Sequence, residues 1–141
     1  MSATQLAALA RSSDPHTVLR RFLVLDAVVT GANGIAYLAA SGPLGRLLGT
    51  DSGLLLALGV FLTAYAVAVG LVATRAHPAA LPVRAVIEAN LAWSALSLVA
   101  LGLWLSPTTA GTVWTVLQAL TVAGFALLQY TALRHRQDIS E

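Results

Sequence analysis

The chain has 141 residues, 57% of them apolar and only 10% charged, with a formal net charge of +2 and a mean hydropathy of +0.79. Soluble domains carry about a quarter charged residues, and a fold of this size has too little interior to hide so much apolar surface. A soluble globular domain is therefore excluded, and lipid is the expected solvent.

Residues 1–13 hold Leu6 and Leu9 as their only large apolar side chains and are expected to fray or lie on a surface. Asp14-Pro15 then reads as an N-cap and first-turn residue. Four apolar runs follow, at 22–41, 53–74, 85–105 and 110–133, each close to the ~20 residues an α-helix needs to cross the hydrocarbon. With their flanks they predict spans over about 18–41, 53–74, 83–105 and 108–133, inside a transmembrane domain of 15–134 between an N-terminal segment (1–14) and a tail (135–141). Gly42-Pro43 closes the first span, Asp51-Ser52 caps the second, Pro78 and Pro82 bracket the next turn, and Ser106-Pro107 opens the fourth. The runs lack the period-two alternation of barrel strands. The predicted fold is thus all-α, an integral membrane four-helix bundle with up-down-up-down antiparallel topology. A signal peptide from Arg20-Arg21 to Ala39-Ala40-Ser41 is the alternative for the first run, but that run is long, carries Asp26 and leads into three more spans.

Orientation follows from arginine, which supplies every basic side chain other than histidine. Arg11, Arg20, Arg21, Arg75, Arg84, Arg134 and Arg136 fall on one side of this topology and Arg46 alone on the other, so a multi-pass cell-membrane protein with both termini in the cytoplasm is expected. These arginines are spread thinly and gather on no face, which argues against nucleic acid as a partner.

Polar residues inside the runs carry what chemistry there is, because each is costly against lipid. In span one, Asp26, Thr30, Asn33 and Tyr37 are four, three and four apart and share one narrow face. That face is either a cavity wall or hydrogen-bonding glue, worth ~0.6–2 kcal/mol per contact. In span two, Gly59, Thr63, Ala66 and Gly70 form a small-residue stripe suited to close helix packing. Span three sets Glu88 and Asn90 on nearly opposite faces. Glu88 inward is favoured, since a charge is costlier against lipid than an amide; otherwise Asn90 turns inward with Trp93, Ser94 and Ser97, and Glu88 pairs with Arg84 or meets another subunit. Span four sets Gly111, Thr115, Gln118, Phe125 and Gln129 on one face.

Asp26, Glu88 and Gln129 each lie four or five residues from a flanking arginine, about 6–8 Å inside the same boundary at 1.5 Å per residue. Asp26 and Glu88 are therefore either a carboxylate pair at the mouth of a cytoplasm-facing cavity or two ion pairs, Asp26 with Arg75 or Arg84 and Glu88 with Arg84. His16, His77 and His135 sit in the flanks, with no paired spacing for a metal or haem. Trp104 and Trp114 fit an interfacial belt and Trp93 lies deeper. No cysteine, phosphate loop, nucleophile elbow or zinc signature is present. No cofactor and no metal are assigned.

At LDAVVTGANGIAYLAASGPLGRLLG (25–49) and LSPTTAGTVWTVLQAL (105–120) the chain resembles the small four-span integral membrane proteins of high-GC actinobacteria, most of them without assigned activity. The resemblance implies location and fold, and names no catalytic residue.

The leading functional reading is a bundle with a modest polar cavity holding a small lipophilic molecule, with Thr30, Asn33, Tyr37, Asn90, Trp93, Gln118 and Gln129 as candidate ligand-binding residues. The second is an acid/base isomerase or cyclase using Asp26 and Glu88. The third is a structural or assembly subunit. Membrane lipids, a lipophilic ligand and a second copy of the chain are the expected partners.

Overall fold

A computed structural model describes residues 2–4 and 14–140; the segment expected to fray, with Leu6, Leu9 and Arg11, lies almost wholly outside them. The described chain forms helices α1 (Pro15–Ala39), α2 (Ser41–Leu48), α3 (Ser52–Ala73), α4 (Ala80–Leu103) and α5 (Thr109–Ser140). All but α2 are long and apolar enough to cross a membrane, and together they make an all-α four-helix bundle. Its exterior is oily: Val28, Ile35, Val60, Leu71, Leu103 and Leu127 are each at least 60% exposed. Water would penalise such a surface, whereas acyl chains solvate it. The chain is a multi-pass membrane protein.

Local chemistry explains where the helices start. Asp14 accepts the His16 N–H at 3.3 Å with proline in the following turn, and Asp51 accepts the Leu54 N–H at 3.1 Å. Each carboxylate satisfies a donor that the helix start leaves open.

The stretch between the first two spans departs from the sequence reading, which ends the first span at Gly42-Pro43. The chain instead bends at Ala40 and enters α2, with Pro43 in the first turn, where a missing N–H does no harm. Gly49 ends α2 in the left-handed region at φ 69°. Thr108 then serves two helices. Its N–H and hydroxyl donate to the carbonyls of Leu48 (3.2 Å) and Leu47 (2.7 Å), while its hydroxyl oxygen accepts the Gly111 N–H at 3.1 Å. Thr108 is therefore the cap of α5, where the sequence reading has Ser106-Pro107: it satisfies α2's last carbonyls and the open N–H of Gly111 in α5's first turn at once. A side chain at Gly111 would overlap the Leu48 carbonyl.

Around the bundle the order is α3, α1, α5, α4. The pairs α1/α3 and α4/α5 pack along their lengths, α1 joins α5, and the α3/α4 seam has the fewest close backbone approaches. The stripe on α3 does what its small residues suit. A Cβ built on Gly34 would lie 2.6 Å from Thr63 Oγ1 and 2.8 Å from Thr63 N, and one on Gly59 would lie 2.9 Å from the Gly34 carbonyl oxygen. Helices α1 and α3 therefore touch through backbone.

At the end of the bundle that carries both ends of the described helices, Leu19, Leu23, Val69, Val83, Ile87 and Leu133 form a packed core. Arg20 Nε donates to the Ala73 carbonyl at 2.9 Å, and Arg136 donates to the Pro78 carbonyl, so two helix ends and a turn are tied beneath that core.

Candidate functional site

The four spans meet at one side chain, Asn90, 3% exposed on α4. Its Nδ2 donates to Asp26 Oδ2 on α1 at 2.7 Å and to Gln129 Oε1 on α5 at 3.2 Å. The Tyr65 hydroxyl of α3 lies 2.9 Å from Asn90 Oδ1 and 3.2 Å from the Val86 carbonyl oxygen, and its single proton serves one of them at a time. Gln129 Nε2 donates to Asp26 Oδ2 at 2.8 Å and Thr30 Oγ1 to Asp26 Oδ1 at 3.0 Å. Asp26 and Gln129 are fully buried. Both carboxyl oxygens thus act as acceptors, and among the described residues every donor that reaches them is uncharged.

Glu88 does not join this cluster. Turning Asn90 inward leaves the residue two positions earlier on the outer face of α4, and Glu88 is exposed there. The preference for Glu88 inward is therefore corrected, and with it the carboxylate pair. Hydrogen-bonding capacity decides the rotation: an amide donates to Asp26 and accepts from Tyr65 together, whereas a second carboxylate can only accept. The two expected ion pairs are absent as well. Among the described residues neither Asp26 nor Glu88 makes a salt bridge, and Arg75 and Arg84 are exposed.

On the other side of the cluster lies a cavity of about 350 Å³ bordered by all four spans. Its walls are mostly apolar, with Thr30, Asn33, Asn90 and Gln118 among the polar exceptions. Asn33 is half-buried, and no hydrogen bond from a described residue reaches its amide. Trp93 Nε1 donates to Gln118 Oε1 at 2.9 Å, and Gln118 Nε2 donates to Ser97 Oγ at 3.1 Å. Trp93, Leu96, Trp114 and Gln118 also border a second space of about 240 Å³, which runs on towards Leu48 and Leu105. The expected mouth at the end with the flanking arginines is closed: the Leu19 to Leu133 core fills the level beneath Asp26, and the cavity extends the opposite way. It reaches the bundle surface at the loose α3/α4 seam, where Phe61 (54% exposed) and Leu96 (62%) both line it and face outward.

Three aromatic residues of this site escaped the sequence reading. Trp114, assigned there to the interfacial belt, turns inward and donates from Nε1 to the Tyr37 hydroxyl at 2.7 Å. Tyr65 completes the Asn90 shell. Phe61 stacks between Tyr65 and Trp93, with ring centroids 6.2 and 5.9 Å apart and planes within 15°, and so bridges the α3/α4 seam with side chains. The one available signal was spacing, since Phe61 and Tyr65 are four apart on a helix and share a face. Trp104, by contrast, is 72% exposed, as a belt residue would be.

No protein-family model matches this chain, and no curated protein or solved structure resembles it significantly.

Proposed function

We propose that the bundle binds a small lipophilic molecule in the cavity between its spans, and that the molecule enters sideways from the acyl chains through the α3/α4 seam past Phe61. The observation that carries this reading is the Asn33 amide. It lines an apolar-walled space at membrane depth with none of its hydrogen-bonding capacity used by described residues, a costly arrangement unless a ligand group meets it. The arginine distribution supports cytoplasmic termini, an orientation that would put the cavity in the outer half of the bilayer. The isomerase or cyclase alternative loses support, since its two carboxylates face opposite ways.

Asn33→Leu tests the proposal. Lipophilic material extracted from the purified protein and quantified by mass spectrometry should fall at least tenfold, while unfolding stability stays level or rises by about 1 kcal/mol as an unpaired amide is removed. Unchanged lipophile content together with lost stability would make Asn33 a packing residue and remove the ground for the reading.

A second reading rests on Glu88. It is exposed on α4 one turn beyond Arg84, on a face of small residues that includes Ala85, Ala92 and Ala95, and a carboxylate facing acyl chains is costly. Two copies meeting along α4 about a two-fold axis along the membrane normal would bring the two Arg84–Glu88 turns together at one depth, each Arg84 reaching about one turn along to the partner's Glu88, forming a homo-dimer. Single-molecule subunit counting in bilayers should show wild-type dimers and Glu88→Leu monomers; a monomeric wild type defeats this reading.

A further inference from the structure

The Asp26 carboxyl has no task in holding a neutral lipophile, and its placement bears on the charge of what the cavity takes. This step rests on the cavity reading above. Thr30 and Asn90, two of the three residues that donate to Asp26, are themselves cavity wall. The carboxylate therefore stands one hydrogen-bonded side chain behind the lining, at 3.0 and 2.7 Å from those donors. No described arginine or histidine pairs with it, and Glu88 points away. In a low-dielectric interior its field reaches the cavity with little screening. Phe61, Tyr65, Trp93 and Trp114 border the same space from three helices, and aromatic faces attract cations, most strongly when both are desolvated.

These features select among ligands. An anion meets an unbalanced negative site. A small hydrated metal cation finds carboxyl oxygens already occupied by three donors. A cation whose charge is wrapped in aromatic or alkyl groups gains from the carboxylate field and from the rings, and it loses little water on entry. We infer that the cavity takes a lipophilic organic cation of the quaternary ammonium or phosphonium type.

The test compares three probes of similar shape and different charge on the full chain in phosphatidylcholine nanodiscs: tetraphenylphosphonium, neutral triphenylphosphine oxide and anionic tetraphenylborate. Equilibrium dialysis should show one saturable tetraphenylphosphonium per chain, at least tenfold tighter than the oxide, with no saturable borate. Trp93→Leu should weaken the cation at least fivefold and Asp26→Asn at least tenfold. Because Asp26→Asn sets an amide against two amide donors and risks misfolding, the charge series on the unaltered chain decides. Equal saturable binding of the oxide overturns the cationic inference and leaves the lipophile cavity standing. Tighter borate overturns it too, and saturable binding of none of the three removes the cavity reading with it.

Discussion

Asp26→Ala is expected to destabilise the bundle by about 1–4 kcal/mol, two interhelical contacts at ~0.6–2 kcal/mol each. The loss falls on every span at once. Thr30 is on the same helix, but the other two donors are Asn90 on α4 and Gln129 on α5, and Asn90 in turn accepts from Tyr65 on α3. Removing the shared acceptor leaves two buried amides, Asn90 at the cavity wall and the fully buried Gln129, with protons to place, and an unmet buried donor costs about 1–3 kcal/mol. Water cannot step in easily, because Asp26 and Gln129 have no exposed surface and the core beneath them is apolar. Unfolding in mixed micelles with increasing sodium dodecyl sulfate, followed by tryptophan fluorescence and circular dichroism, reads the change directly. A shift under about 1 kcal/mol would mean that the amides find other partners and that the cluster does not hold the spans together.

Gly34→Val should be at least as damaging, and for a steric reason. Its Cβ would arrive 2.6 Å from Thr63 Oγ1 and, more to the point, 2.8 Å from Thr63 N and 3.1 Å from the Gly59 carbonyl oxygen. Backbone atoms of a packed helix cannot turn aside as a side chain can, so α1 and α3 must separate along their length. Overpacking costs about 1–3 kcal/mol where side chains can adjust, and more where they cannot; about 3 kcal/mol or more is expected here. The same separation would pull Asp26 on α1 away from Asn90, coupling the glycine contact to the polar cluster. A double-mutant cycle of Gly34→Val with Asp26→Ala should therefore give less than the sum of the two single losses, since contacting or linked sites are not additive. Full additivity would show the two features to be independent.

Much of this architecture was legible in the order of residues alone. Four runs of bilayer-spanning length, with almost no charge inside them, have one physical outcome, because a chain in lipid must bond its own backbone and a helix does so within each run. Asp14 and Asp51 are helix starts for equally local reasons. The inward face of α1 was also determined by sequence, since Asp26, Thr30 and Tyr37 share one side of a helix and all three are buried. Only tertiary structure decided the rotation of α4. Its two faces offer lipid either Glu88 or Asn90, and the choice turned on what α1, α3 and α5 present at that depth: one carboxylate, one phenol and one amide that a single asparagine can join. Trp114 followed the same logic, drawn inward by the Tyr37 hydroxyl 77 residues away. Helix α2 took its position from Thr108, which lies across the bundle end from it. In a membrane, burying an apolar side chain is worth little, so periodicity of apolar residues alone carries weak information about which face turns in; the polar partners on other helices supply the rest.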